Sequence, residues 1–212
     1  MARGRRRVED PATARRILAA AESHFAARGL AGARTEEIAT AAHANKAMLY
    51  YYFGDKSHLH RAVLENLTRQ LRSSVFAPAT KKLSPRERFF VYVNGYFDFL
   101  AAHPNYPRLV QRQAMEAAPE FEGTVKNLFR PLHGEFARTL EEGIARGEFR
   151  GVDPYQIAML TIQMTTSYFA AAAVLGRVAG RDLLAPEAIA ARKRALLDFL
   201  EHGLAVHGEK AR

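Results

Sequence analysis

The stretch "TEEIATAAHANKAMLYYYF", residues 35–53, decides the fold of the N-terminal part of the chain. Threonine is a good helix N-cap, so Thr35 is predicted to cap a short helix. The polar turn "HAN" follows, and its Asn45 is predicted to cap a second helix that ends near Phe53. Two helices of about two turns joined by so short a connection predict a helix-turn-helix.

The second of these helices has two faces of different character. Leu49 and Phe53 are four residues apart and share a side that can face inward, while Lys46, Ala47 and Tyr50 share another side. The second helix of such a pair commonly enters the DNA major groove. A charge, a small group and a phenol can meet both phosphates and base edges, so this side predicts a DNA-binding surface.

The tyrosines of this helix have a second interpretation. Tyr51 is expected to pack on the following helix, and all three tyrosines could be half-buried packing residues whose hydroxyls reach water. The sequence leaves both interpretations open.

Apolar residues recur every three or four positions along the rest of the chain, and alternating strand patterns are nearly absent. This pattern predicts an all-α fold of about nine helices, with an N-terminal three-helix helix-turn-helix domain followed by a C-terminal helical bundle. Capping residues, prolines and glycines give the approximate boundaries. The predicted helices cover 11–29, 35–42, 45–53, 55–77, 84–103, 104–118, 119–147 with a kink at Pro131, 153–176 and 185–203.

The overall composition is that of a globular protein, with 48% hydrophobic and 25% charged residues. The absence of cysteine excludes a disulfide scaffold, a thiolate metal site and a cysteine nucleophile. No apolar run of signal-peptide length follows the charged N-terminus, and the apolar stretch 168–176 is too short to cross a bilayer. We therefore expect a cytoplasmic, nucleoid-associated protein that does not contact a membrane.

Positive charge is concentrated near the N-terminus. The formal net charge is +9, and residues 1–60 hold ten Arg and Lys against six Asp and Glu. A basic arm over residues 1–12 predicts contact with a polyanion, because phosphate contacts supply most non-specific nucleic-acid affinity. Arg5, Arg6 and Arg7 are expected at the DNA backbone or minor groove. The alternative is a solvated tail that aids solubility.

Residues 35–64, "TEEIATAAHANKAMLYYYFGDKSHLHRAVL", resemble the DNA-binding segment of the tetracycline-repressor (TetR) family of transcription regulators. The resemblance implies a DNA-binding domain over 13–55 and a ligand-binding and dimerisation domain over 56–212. The sequence departs from the family pattern at His43, in the turn, where glycine is usual. Histidine can adopt a positive φ, at some cost in conformational energy. The resemblance implies that Thr35, Tyr50, Tyr52 and Lys56 lie at phosphates and that Lys46, Ala47 and also Tyr50 lie against base edges. We expect Asn45, the predicted cap of the second helix, among the DNA-binding residues as well.

Metal and enzyme interpretations find little support. His58 and His60 point about 200° apart on a helix and cannot share one ion, and His133 with Glu135 fails by the same geometry. No Gly-rich phosphate loop, nucleophile elbow or zinc-protease helix is present. We expect no catalytic residue, no metal site and no cofactor.

Two further residue sets are predicted in the C-terminal bundle. The first mixes aromatic, methionine and amide side chains, as apolar ligand pockets do, although the same mixture describes an ordinary helical core. The second comes from apolar faces too wide for a single packing contact, which predict a four-helix dimer interface. The pocket set is Phe97, Tyr106, Gln111, Met115, Gln163, Met164 and Tyr168; the interface set is Ile157, Leu160, Leu196, Leu197, Leu200 and Leu204.

Together these features predict a homodimeric transcription regulator. We expect a repressor that binds a palindromic double-stranded DNA operator and is released by a small-molecule effector in the C-terminal bundle. The alternative is a helical dimer that binds a small molecule or protein partner and uses DNA only non-specifically.

Overall fold

The computed structural model describes residues 10–76, 82–115 and 119–206. Within these ranges the protein is all-α, and its β-structure consists of an isolated antiparallel bridge between Phe149 and Ala205. The helices are α1 (Pro11–Gly32), α2 (Thr35–Ala41), α3 (Lys46–Phe53), α4 (Lys56–Val75), α5 (Pro85–Ala102), α6 (Tyr106–Met115), α7 (Pro119–Thr124), a π-helical turn (Val125–Phe129), α8 (Arg130–Ala145), α9 (Pro154–Ala179) and α10 (Pro186–Leu204). Since α7, the π-helical turn and α8 are continuous, the described chain forms nine helical segments, as predicted.

The chain divides into two compact units between Asn66 and Leu67, inside α4. The division lies eleven residues beyond position 55, where the helix-turn-helix motif ends, because the first turns of α4 pack into unit 1. Leu59 is fully buried there, and the Phe25 and His60 rings meet edge to face at 4.8 Å. The roles assigned to 13–55 and 56–212 remain predictions.

Unit 1 is built on a small apolar core to which α1, α2, α3 and the start of α4 each contribute. Ile17, Phe25, Ile38 and Leu49 are fully buried. The predicted end of the first helix at Gly29 corresponds to a break in the helical conformation, since Gly29 has φ 69° and ψ 179°. A short turn then completes α1 to Gly32.

The core of unit 2 lies between α5, α8 and α9, which pack against one another, while α6 packs on α9 and α10 on α5. Phe89 of α5 meets Phe136 of α8 and Phe149 edge to face, at 5.9 and 5.6 Å. Phe97 of α5 and Phe169 of α9 form a similar pair at 5.3 Å. Such pairs add to the stabilisation that burial of the rings already provides.

Several helix boundaries follow the predicted signals. Ser84 and Glu87 form a reciprocal capping box at the start of α5, and the Asp153 carboxylate accepts a hydrogen bond from the Gln156 amide at 3.0 Å. A π-helical turn, Val125–Phe129, directly precedes the position at Pro131 where a kink was predicted. Proline cannot donate to the preceding turn, and a π-helical turn is one way to accommodate that loss.

One described helix, α9, is long and apolar enough to cross a membrane by length and composition. It packs against α5, α6 and α8, and Ala158, Ile162, Phe169 and Ala172 on it are buried in the chain's own core. These contacts account for the apolar side chains on the inner face of α9, while Val174, Leu175 and Val178 on the same helix are exposed.

Candidate nucleic-acid interface

The turn between α2 and α3 is held by backbone and side-chain hydrogen bonds. The His43 amide donates to the Thr40 carbonyl at 3.0 Å, and the Ala44 amide donates to the Ala39 carbonyl at 2.9 Å. His43 adopts φ 50°, the left-handed conformation that glycine would take most easily. Asn45 then caps α3, because its side-chain oxygen accepts a hydrogen bond from the Met48 amide at 2.8 Å.

The start of α2 differs from the prediction. Thr35 is the first helical residue and Arg34 occupies the N-cap position without a side-chain capping bond. The Thr35 side chain is buried, and its hydroxyl donates to the Glu36 carboxylate at 3.3 Å. The prediction that Thr35 is the N-cap was wrong. The extended backbone ends at Arg34, so the helix begins one residue earlier than the sequence pattern suggested.

The two predicted faces of α3 are confirmed. Leu49 is fully buried and Phe53 is half-buried, whereas Lys46 and Ala47 are exposed and Tyr50 is 41% exposed. Burial of Leu49 in the core fixes which side of this two-turn helix faces solvent. A lysine, a small side chain and a phenol therefore stand together on the surface of unit 1.

Tyr51 does not pack on α4 as expected. Its side chain is 60% exposed, and its ring meets the Tyr52 ring edge to face at 5.3 Å. Tyr51 follows Leu49 by two helical steps, about 200°, which places its ring on the side opposite the buried Leu49.

Lys46 is held by two neighbours. Its ammonium group forms an ion pair with Glu36 of α2 and lies 5.7 Å from the centre of the Tyr50 ring. The hydrogen bond from Lys46 lowers the pKa of the Glu36 carboxyl, and the same bond raises the pKa of Lys46. The pair is exposed, so its contribution to stability is small.

Tyr52 is directed toward the start of α1. Its hydroxyl accepts a hydrogen bond from the Asp10 amide at 2.9 Å and donates to the Asp10 carbonyl at 3.3 Å. Asp10 in turn caps α1 by accepting hydrogen bonds from the Ala12 amide and, at 2.6 Å, from the Thr13 hydroxyl. The Thr13 bond is the main reason that the pKa of Asp10 is lowered. The predicted arm residues Arg5, Arg6 and Arg7 lie outside the described residues.

Lys56 closes the end of α1. Its ammonium group donates hydrogen bonds to the carbonyls of Ala31 and Ala33, both at 3.2 Å. A cation at this position satisfies carbonyls that have no partner within the helix. The side chain expected at a phosphate therefore has an intramolecular role that the sequence did not reveal.

Comparison with known proteins agrees with this geometry. Residues 17–63 match the family model "Bacterial regulatory proteins, tetR family". Residues 85–200 match the family model "Tetracyclin repressor-like, C-terminal domain". The chain belongs to the TetR family.

Individual relatives are similar over part of their length. The chain is 39% identical to the HTH-type transcriptional repressor SCO4008 of Streptomyces coelicolor, over 50% of this chain and 53% of the relative. It is 29% identical to the HTH-type transcriptional repressor NicS of Pseudomonas putida, over 64% and 63% respectively. These alignments thus span between about half and just under two thirds of the relatives. The fold is shared with the ketosteroid transcriptional regulator KstR2 of Mycobacterium tuberculosis, with TM-score 0.76, 18% identity and coverage of 94% of this chain and 97% of that one.

The residues predicted to line a ligand pocket in this TetR-family chain divide between the interior and the surface of unit 2. Phe97, Tyr106 and Tyr168 are buried and Met164 is half-buried, but Gln111, Met115 and Gln163 are exposed. Tyr168 donates a hydrogen bond to the Leu183 carbonyl at 2.6 Å. The three exposed side chains are placed on the surface of unit 2 because α6 and α9 present their other faces to the core.

Unit 2 also buries polar groups that sequence reasoning missed. Gln113 is 2% exposed and Tyr106 is 3% exposed, and the Gln113 side-chain oxygen has no hydrogen-bond partner among the described residues. The Tyr106 hydroxyl makes no hydrogen bond of standard length there, but it interacts with the Thr68 side chain. Tyr106 and Gln113 lie on one face of α6, seven residues apart. The spacing was visible in the sequence, but their burial was not.

The predicted dimer residues divide into two groups. Leu196, Leu200 and Leu204 are buried within the single chain, so the prediction that they contact a partner is corrected: they form the inner stripe of α10. Leu160 is exposed, while Ile157 and Leu197 are half-buried. The large apolar side chains that remain in solvent on α9 and α10 include several that the sequence did not single out. They are Tyr155, Val174, Leu175, Val178 and Phe199.

No group of three or more metal-binding side chains occurs among the described residues. The His58 ring lies 2.8 Å from the Asp55 carboxylate, which also accepts a hydrogen bond from the His58 amide at 2.8 Å. The histidine therefore belongs to the cap of α4. The His133 ring contacts the Phe129 carbonyl at 2.8 Å, on its own helical segment.

Proposed function

We propose that this TetR-family protein is a DNA-binding transcriptional repressor that acts in the cytoplasm as a homodimer. The observation that carries the proposal is the exposed face of α3, where Lys46, Ala47 and Tyr50 stand on a helix fixed by the buried Leu49. A helix of this size fits the major groove, and these side chains suit phosphates and base edges. SCO4008 and NicS, two of its relatives, are named repressors.

Within this surface we assign different tasks to the predicted residues. Lys46 and Tyr50 contact DNA directly, while Ala47 allows the helix to approach the bases closely. Lys56 supports the surface by closing α1, and Tyr52 is bonded to Asp10, the residue that caps α1. Asn45 supports it as the cap of α3.

Unit 2 is proposed to bind a small effector. A buried polar atom without a partner costs about as much as a lost hydrogen bond, so the Gln113 side-chain oxygen is a natural contact for a ligand, with Tyr106 on the same face of α6. Nearby Tyr96 shares a 2.6 Å hydrogen bond with Thr166, and burial raises the pKa of Tyr96 to about 12. Burial also raises the pKa of Tyr106, so both phenols keep their protons, and can donate hydrogen bonds, to a higher pH than a free tyrosine.

The effector would act by binding more tightly to a form of the protein that fits DNA poorly. Such a switch depends on unequal affinity for the two forms, because a ligand that binds both equally shifts neither.

Dimerisation is proposed through the exposed apolar side chains of α9 and α10. Val174 and Val178 are one helical turn apart and are 67% and 81% exposed, and Phe199 of α10 is 63% exposed. Large exposed apolar surfaces commonly mark protein interfaces. A second copy of the chain would cover them and would supply a second α3 for the other half of a palindromic operator.

The test is binding of the protein to DNA from upstream of its own gene, compared with a scrambled duplex of equal length. Fluorescence anisotropy at 50 and 200 mM salt should give a tighter complex with the upstream DNA at both concentrations. Lys46→Ala and Tyr50→Phe should weaken this complex, whereas Lys126→Ala, at an exposed lysine of unit 2, should not. Equal affinity for both duplexes would favour the non-specific alternative.

A further inference from the structure

The helix-turn-helix segment has an unusual charge for a DNA-binding surface. Residues 35–53 contain a single lysine, Lys46, and two glutamates, Glu36 and Glu37, so their formal net charge is −1. A DNA-binding surface normally carries a positive net charge, because it must attract the phosphates. The placement of the two acids therefore bears on how the protein distinguishes one duplex from another.

The two glutamates have different partners. Glu37 pairs with Arg28 of α1 and lies 3.7 Å from the His24 ring. Glu36 pairs with Lys46 of α3, and its side chain is 61% exposed, against 36% for Glu37. Glu36 is thus the acid that shares the solvent-exposed surface with the DNA-binding face of α3, while Glu37 is bound to α1.

The Glu36 carboxylate makes the binding of any duplex to α3 less favourable. To reach a phosphate or a base edge, the Lys46 ammonium group must either leave Glu36 or remain beside it. In the first case the ion pair is lost, and in the second the carboxylate is brought near the phosphates. A base contact from Lys46 can replace the ion pair only on a duplex whose sequence matches the protein, whereas on any other duplex Lys46 stays neutralised beside Glu36.

We propose that Glu36 is a specificity-determining residue that weakens binding to non-operator DNA. It does so by neutralising Lys46 and by repelling phosphates, so that stable binding requires base contacts as well as charge. The role of Glu36 rests on the proposed contact of α3 with DNA. The lowered pKa of its carboxyl keeps Glu36 ionised at neutral pH.

The expected effect follows from Coulomb's law. A unit charge about 7 Å from a phosphate in water changes affinity roughly threefold, so two subunits together give about seven- to tenfold at low salt. Screening reduces this effect as the Debye length falls. If removal of the acid frees Lys46 for one further phosphate, the slope of log K against log salt steepens by about 0.9 per subunit.

The experiment uses the full chain and three variants. Glu36→Gln removes the charge, Glu36→Asp retains it with a shorter side chain, and Glu37→Gln removes the neighbouring charge that pairs with Arg28. Each is titrated with a scrambled duplex and with DNA from upstream of its own gene, over 50 to 200 mM salt. Thermal unfolding of each variant is recorded in parallel, and midpoints close to that of the unmodified chain are expected.

Glu36→Gln should bind the scrambled duplex about seven- to tenfold more tightly at 50 mM salt, with a smaller gain on the upstream DNA. Glu36→Asp should stay close to the unmodified chain, and Glu37→Gln should show less than half the gain of Glu36→Gln. An unchanged affinity of Glu36→Gln for the scrambled duplex would overturn the role of Glu36, as would an equal gain in Glu37→Gln. If the unmodified chain binds neither duplex, the proposed function itself fails, which is a distinguishable result.

Discussion

Replacement of Lys56 by methionine separates a structural role from a DNA contact. Methionine keeps an apolar stem of similar length and removes the ammonium group that donates to the Ala31 and Ala33 carbonyls. Hydrogen bonds from a charged donor contribute about 1.5–3 kcal/mol when well formed. These two are 3.2 Å long and partly open to water, so together they should contribute about 1–2 kcal/mol.

Urea unfolding followed by circular dichroism measures this loss. Lys56→Met should lower the free energy of unfolding by about 1–2 kcal/mol, while Lys126→Met, at an exposed lysine, should stay within about 0.5 kcal/mol of the unmodified chain. DNA binding should keep its salt dependence, because the ammonium group of Lys56 is bound to carbonyls. An unchanged stability together with a salt slope reduced by about 0.9 per subunit would refute this reasoning and place Lys56 at a phosphate.

Three further substitutions test the packing and the proposed surfaces of unit 2. Gly143→Ala should destabilise the protein by about 1–3 kcal/mol in thermal unfolding, because the added Cβ would lie 2.3 Å from the Phe149 ring. The control, Gly134→Ala, should be neutral or slightly stabilising, because nothing lies within contact distance of the added Cβ. Gln113→Leu should raise the unfolding midpoint of the unliganded protein, because it removes a buried side-chain oxygen whose lack of a hydrogen-bond partner costs about 1–3 kcal/mol. A lower midpoint would show that this oxygen has a hydrogen-bond partner in the folded protein. Val178→Lys should convert a dimer to a monomer in analytical ultracentrifugation, and an intact dimer would exclude this surface.

Much of the fold could be predicted from the sequence because helix boundaries depend on local chemistry. Ser84 with Glu87 forms the expected capping box, and Asp55 and Asp153 each accept a backbone amide near the start of a helix. These bonds join residues within three positions of each other, so a short window of sequence contains all the information. The positive φ of His43 could be predicted for the same reason, because it depends on the short turn in which His43 lies.

Parts of the candidate site could not be predicted because they depend on distant contacts. Tyr52 reaches Asp10, 42 residues away, and Lys56 reaches carbonyls 23 and 25 residues away. The ion pair between Glu36 and Lys46 crosses the turn and requires the angle between α2 and α3. Periodicity identifies the exposed side of α3, but it does not say which polar side chains meet.

The apolar faces of α9 and α10 show a second limit of periodicity. Leu196, Leu200 and Leu204 are spaced four residues apart and fill the inner stripe of α10, while Phe199 on the same helix remains 63% exposed. The sequence shows that such a helix is apolar over more than one face, but it does not show which face the chain covers by itself. Only the three-dimensional packing assigns the leucines to the core, and this assignment moves the proposed contact with a second copy to Phe199 and to the exposed valines of α9.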